Sequence, residues 1–138
     1  MAISQDVSKQ LVTQGTLAYL NRQNFSFPPD HGARLVTIVL NDPALCADWK
    51  AELEQVRLGM LDIRQSLATE LHSRAGSDRF GFLAQHRGMF SRLGTTPDMV
   101  ERLRVEHAIY MVRDSRMNIA GLTEATVPAL AKAIAAVI

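Results

Sequence analysis

Apolar side chains recur at intervals of three and four through Leu53, Val56, Met60, Ile63, Leu67 and Leu71. This pattern predicts one helix from Ala44 to about Ser73, with Gly59 its one weak position. At 1.5 Å per residue such a helix spans roughly 45 Å, more than a domain of this size needs. It reads as a spine between two domains, or as a helix whose partner has been removed. Ala75-Gly76-Ser77 ends it. Ahead of the spine, Val7, Leu11, Leu17 and Leu20 give a loose apolar face, and a helix is expected over Asp6 to Leu20, interrupted by Gly15. Asn24 to Gly32 holds two prolines and an Asp-His pair and predicts an ordered loop. Ala33 to Leu40 is apolar and β-branched without alternation, so strand and helix both remain open. Asn41 or Asp42 can cap the spine, with Pro43 in its first turn.

Beyond Ala75 the pattern shortens. Phe80 to Gln85 alternates and predicts a strand, Gly88 to Ser91 a second short strand or extended segment. Thr95 or Thr96 caps a helix that opens at Pro97 and runs to about Glu106. Ala108 to Val112 and Met117 to Ala120 are expected as strands, the latter closed by Gly121. Thr123 caps a last helix with Val127, Leu130, Ala131, Ile134 and Val137 on its inner face. The expected sheet thus draws on residues 80–85, 108–112 and 117–120, covered on one face by the helices at 97–106 and 123–137. The fold class is α/β (α+β), with a helical first half and a compact second half.

Composition narrows the function classes. Of 138 residues, 47% are apolar and 21% charged, the balance of a globular chain. A net charge of +1, with bases interleaved with acids, argues against nucleic acid as the main partner. Cys46 is the only cysteine, which excludes an intrachain disulfide and a multi-thiolate zinc site. The histidines His31, His72, His86 and His107 form no close pair, so no metal site is expected. No segment has the unbroken apolar length to span a bilayer, and Met1 to Gln10 lacks an apolar signal core. A cytoplasmic location is the expectation. Glycine-rich phosphate loops and the Gly-x-Ser-x-Gly elbow are absent.

Two arginines stand at element edges, where a guanidinium can grip a carboxylate through two parallel hydrogen bonds. Arg22 precedes the Phe-Pro-Pro loop, and Arg116 enters a short strand in Asp114-Ser115-Arg116-Met117-Asn118. The series around them is ordered. Arg22 with Ser26-Phe27-Pro28-Pro29-Asp30-His31-Gly32 resembles Arg-x-x-Tyr/Trp-Ser-Asn-Pro-Pro-x-His-Gly. Phe80-Gly81-Phe82, then Gly88-Met89-Phe90-Ser91, resembles Phe-Ser-Phe followed by Gly-Met-Phe-Ser. Leu103-Arg104-Val105-Glu106-His107-Ala108-Ile109-Tyr110 resembles Leu-Arg-Glu-Glu-Phe-Gly-Val-Tyr. Ser115-Arg116-Met117-Asn118-Ile119-Ala120-Gly121 resembles Gly-Arg-Val-Asn-Val-Ala-Gly. In order and spacing, nearly the whole chain resembles the C-terminal region of the aspartate/aromatic amino acid aminotransferases, the class I, fold-type I pyridoxal-phosphate enzymes.

The resemblance implies roles for particular residues. Arg116 sits where the family binds the substrate α-carboxylate. Arg22 sits where an arginine reaches across the dimer interface to the distal carboxylate of dicarboxylic substrates, and Phe90 where an aromatic borders the substrate pocket. Residues 1–43 would be the end of the large domain, 44–75 the connecting helix, and 76–138 the C-terminal small domain. The full enzyme would move an amino group between aspartate or aromatic amino acids and 2-oxo acids. In the resembling enzymes the Schiff-base lysine and the main cofactor-binding residues precede this region. Lys9, Lys50 and Lys132 do not match that lysine, so this chain alone is expected to bind no pyridoxal phosphate and to be inactive. The alternative is a free-standing small-domain protein that binds a partner or a small carboxylate. The apolar surface of residues 1–70 implies a homo-oligomer, or a separate large domain as partner.

The chain also departs from the family pattern. Phe27 replaces an asparagine, Arg92 stands where an aromatic is common, and Arg113 and Asp114 replace small residues. Ser115 replaces a glycine. An acid two residues from Arg116 is expected to compete for its guanidinium, and Ser115 to shift the strand entry.

Overall fold

The computed structural model describes residues 6–27 and 29–138. Two compact units divide the chain, one ending at Trp49 and one running from Lys50 to Ile138.

The first unit is helical. Helix α1 covers Val7–Phe25, and the Asp6 carboxylate caps it by accepting the Ser8 N–H at 3.0 Å. It runs a turn beyond the expected Leu20. Helix α2 covers His31–Asn41, so the open choice at 33–40 resolves to helix. The expected loop shrinks accordingly: His31 and Gly32 are already helical, and Pro28 lies outside the described residues. Asp42 starts α3 (Pro43–Ala75), its Oδ1 accepting from Ala44 N at 2.8 Å and Leu45 N at 3.1 Å. Neither α1 nor α2 buries a described residue, and Leu11, Val12, Leu35, Val36 and Ile38 are exposed.

The second unit holds the core. Only the later part of the apolar stripe of α3 enters it, at Leu67 and Leu71, while Leu53 and Val56 stay exposed. Gly76, at φ 62°, ends α3 in the left-handed region that glycine tolerates. The core gathers Leu67, Leu71, Phe80, Leu83, Leu103, Ile119 and Ile134.

Residues 80–85 do not form the expected strand. Ser77 Oγ accepts the Arg79 N–H at 3.2 Å and opens a 3-10 turn, Asp78–Phe80, followed by helix α4, Phe82–Gln85. Phe80 and Leu83 are the buried pair, a spacing of three that the Phe-Gly-Phe alternation concealed. Nor is Ala108 to Val112 a strand. Helix α5 (Pro97–His107) is capped by Thr96, whose Oγ1 accepts from Met99 N at 3.3 Å, and it ends at Ala108 with φ 54°. In the segment that follows, Ile109 and Met111 turn inward and Tyr110 and Val112 outward, but it joins no ladder. One-sided burial alone produces that alternation.

The sheet observed among the described residues has two strands. β1 (Phe90–Arg92) pairs antiparallel with β2 (Arg116–Asn118), in the register Phe90↔Asn118, Ser91↔Met117 and Arg92↔Arg116. Ile119 to Gly121 forms a 3-10 turn where strand was expected. The last helix, α6 (Val127–Val137), begins later than expected because Thr123 and Thr126 close a turn first, Thr126 N donating to Thr123 Oγ1 at 3.3 Å. Helix α5 packs on α6, and Arg102 ties them by donating to Val137 O at 3.2 Å and Ala136 O at 3.3 Å. The result is an α/β fold dominated by helices.

Candidate carboxylate-binding site

Residues opposite each other in an antiparallel ladder project to the same face. Ser91 and Met117 face inward and are buried, so Phe90, Arg92, Arg116 and Asn118 share the outer face. On that face the Arg116 guanidinium lies over the Phe90 ring, 5.9 Å from its centroid, within cation–π range. Both residues line a cavity of about 530 Å³ together with Tyr110, Met111, Asn118 and Leu122. The walls are largely apolar, with one cation and one amide.

Asp114 does not occupy the Arg116 guanidinium, contrary to the expectation from sequence. Its Oδ1 accepts the backbone N–H of Arg116 at 3.1 Å, and its carbonyl accepts from Arg92 Nε at 3.1 Å. Arg34, Arg57, Arg74, Arg102 and Arg104 each pair with a carboxylate, whereas no ion pair among the described residues involves Arg116. Ser115 adopts the left-handed backbone, at φ 61°, which accounts for glycine in the resembling motif. The strand entry is nonetheless closed: Ser115 N donates to Val112 O at 2.9 Å, and Ser115 O accepts from Leu93 N at 3.0 Å.

Arg22 belongs to the first unit, in the last turn of α1, where its guanidinium lies 5.4 Å from the Phe27 ring centroid. Phe90 and Arg116 are therefore brought together, and Arg22 sits in the other unit.

One residue was missed from sequence. Arg64 falls between Ile63 and Leu67 on the spine and is 1% exposed. Nη1 donates to Leu83 O at 3.2 Å and Ser91 Oγ at 2.8 Å, and Nη2 to Gly88 O at 2.7 Å and Phe90 O at 3.3 Å. Burial, and secondarily the Arg87 charge, lowers its pKa from the usual arginine value. The available signal was a charged residue flanked by the apolar stripe, a pattern that solvated helix faces also produce.

Lys9 pairs with Asp6 at 3.7 Å on α1, Lys50 and Lys132 are exposed, and none of the three lines the cavity. Among the described residues no group of three His, Cys, Asp or Glu side chains is placed to hold a metal ion. No helix among them is long and apolar enough to cross a membrane.

The sequence model of the family "Aminotransferase class I and II" matches residues 11–134. The chain belongs to this family. The aromatic-amino-acid aminotransferase of Paracoccus denitrificans is 58% identical over 134 residues, covering 97% of this chain and 34% of that protein. The enzyme of the same description from Escherichia coli is 44% identical over 123 residues, covering 89% of this chain and 31% of its own length. Among solved structures, an aromatic amino acid aminotransferase with 3-indolebutyric acid superposes with a TM-score of 0.89 at 58% identity, over 99% of this chain and 34% of that one. An aromatic-amino-acid aminotransferase from Burkholderia pseudomallei, covalently bound to pyridoxal phosphate, superposes with a TM-score of 0.85 at 36% identity, over 99% of this chain and 34% of that one. The class I and II family implies pyridoxal phosphate as cofactor, and this chain spans about a third of the relatives' length.

Proposed function

We propose that this chain carries the substrate-carboxylate side of an aminotransferase acting on aspartate or aromatic amino acids and 2-oxo acids, and that it is inactive alone. The observation behind this reading is the Arg116 guanidinium, without a carboxylate partner among the described residues, lying over Phe90 in an apolar-walled cavity. A planar guanidinium there offers a fork to a carboxylate, while the apolar walls accept a side chain. Arg22 is assigned to a distal carboxylate by resemblance. In this reading residues 1–43 are the end of the large domain, 44–75 the connecting helix and 76–138 the small domain. The missing anchor lysine assigns the cofactor and the amino transfer to a large domain, supplied in the same protein or by a cytoplasmic partner. The exposed apolar side chains between Val7 and Leu58 assign that stretch to association, most simply as a homo-oligomer.

Titration of the chain with 3-indolepropionate, followed by nuclear magnetic resonance, tests the site. Saturable shifts at Arg116 and Phe90 that vanish in Arg116→Gln are expected. Shifts that avoid both residues, or equal binding by Arg116→Gln, would overturn the assignment.

A further inference from the structure

We propose that Arg64 is a positioning residue, whose buried guanidinium holds the Leu83–Ser91 segment so that Phe90 stands under Arg116. The proposal deepens the carboxylate-binding reading and rests on it only for the ligand arm of the test.

The guanidinium spends four hydrogen bonds on acceptors that all lie within nine residues of one another, from Leu83 to Ser91. No carboxylate pairs with it among the described residues, so the charge is offset by carbonyl and hydroxyl dipoles alone. Burying a charge in that way costs stability, and apolar packing at the same place would be cheaper. The grip is also local. Gly88, at φ 90°, and Phe90 share one nitrogen of Arg64 through their carbonyls, and these residues flank Met89 at the entry to β1. Apart from Arg64, β1 is held by its three-residue ladder, by Ile119 N donating to Met89 O at 2.7 Å and by Arg92 Nε donating to Asp114 O at 3.1 Å. Ser91 faces inward and takes the other nitrogen, and its hydroxyl also lies 3.4 Å from His86 Nδ1. With the carbonyl of Phe90 and the hydroxyl of Ser91 both fixed from beneath, the alternation of the strand sends the Phe90 ring to the outer face, where Arg116 meets it. Lysine cannot substitute: one ammonium point cannot span acceptors that two nitrogens of a rigid fork reach.

The test compares the wild-type chain with R64M and R64K by nuclear magnetic resonance. The upfield displacement of Arg116 side-chain signals by the Phe90 ring reports the stack without any ligand, and titration with 3-indolepropionate reports the site. Both variants are expected to lose the displacement and to bind at least about tenfold more weakly. The Leu103 and Ile134 methyl signals, which report the core elsewhere, are expected to stay in place. Retention of stack and affinity in either variant overturns the proposal. So does a collapse of the Leu103 and Ile134 signals together with the stack in both, since that marks a residue of general packing. Should R64M not fold, Ser91→Ala removes one acceptor and keeps the guanidinium: a weakened stack supports the proposal and an unchanged stack overturns it. If the wild type binds no 3-indolepropionate, the carboxylate reading fails, and the dependence of the stack on Arg64 still decides this one.

Discussion

The Ser115 hydroxyl accepts the backbone N–H of Gly94 at 3.0 Å while Ser115 itself holds a left-handed backbone at φ 61°. One residue thus carries an unfavourable conformation and a part-buried hydrogen bond. Ser115→Ala keeps the strain and removes the partner of the part-buried Gly94 N–H, a loss of about 0.5–1.5 kcal/mol. Ser115→Gly loses the same bond but relieves about 1 kcal/mol of backbone strain. Urea denaturation is expected to rank both wild type and Ser115→Gly above Ser115→Ala. The reverse order of the two variants would show that the positive φ carries no strain.

Arg116 is the residue on which ligand binding is expected to depend most. A charge-assisted hydrogen bond contributes about 1.5–3 kcal/mol, so Arg116→Lys should weaken carboxylate binding by about tenfold or more even though the charge is kept. Phe90→Leu should weaken an aryl carboxylate more than acetate, because it removes the ring beneath the guanidinium and leaves the cation. Equal losses for the two ligands in Phe90→Leu would contradict the stacking role.

The helices were legible where packing agreed with local signals. Asp42-Pro43, Thr96-Pro97 and Gly76 mark ends by capping chemistry that needs no tertiary partner. The strands were less legible. Phe80 and Phe82 mimic a period of two, yet Ser77 opens a turn that converts the segment to a period of three. Ile109 and Met111 alternate with Tyr110 and Val112 because one side meets the core, and no residue type in that run announces the missing ladder. At the candidate site, Arg116 and Phe90 were legible through motif resemblance. Arg64 was not, since its four acceptors include three backbone carbonyls, and carbonyls leave no trace in residue identity.

Acid should loosen the α5–α6 contact through Glu106. Hydrogen bonding from Arg102, with the Arg102 and His107 charges adding to it, lowers the Glu106 pKa. The same Arg102 holds the end of α6. A depressed carboxylate stabilises the fold above its unfolded pKa, near about 4.3, and the contribution disappears as pH falls through the lower folded value. The pair is exposed, so the effect is small. Glu106→Gln is expected to lower the melting temperature slightly at pH 7 and by less at a pH below about 4. An equal deficit at both pH values would trace the loss to packing instead.

Pyridoxal phosphate added to the chain, followed by borohydride reduction and peptide mass mapping, is expected to give only scattered, substoichiometric labelling of lysine. Lys9 is held by Asp6, and Lys50 and Lys132 are open to solvent, so no lysine has the surroundings that would favour one label over the rest. Stoichiometric labelling at a single lysine would refute the inactivity of the chain and relocate its chemistry.

Association through the first unit is the remaining expectation, and the single tryptophan can report it. Leu35, Val36, Val39, Leu40 and Trp49 line an apolar concavity of about 250 Å³, and Trp49 is 44% exposed. Neither α1 nor α2 has a described buried residue, so their apolar side chains lack the cover that a stable unit of this size requires. A two-fold dimer covers the same patch on both copies at once, which makes it the simplest closed solution. Light scattering after size exclusion should then give twice the 15.3 kDa of the chain. Trp49 emission should shift to shorter wavelength as concentration rises, because the indole leaves water. Leu35→Asp places an unpaired charge in that patch and should return the monomer mass and the red-shifted emission together. If the mass stays near 15.3 kDa at every concentration while Trp49 emission is constant, the dimer is excluded. A dimer that survives Leu35→Asp with unshifted emission would instead place the contact away from α2. Adding a separately produced aminotransferase large domain distinguishes the two possible partners: if that domain is the true occupant, it dissolves the homodimer and quenches the concentration dependence, and if it is not, the dimer persists in its presence.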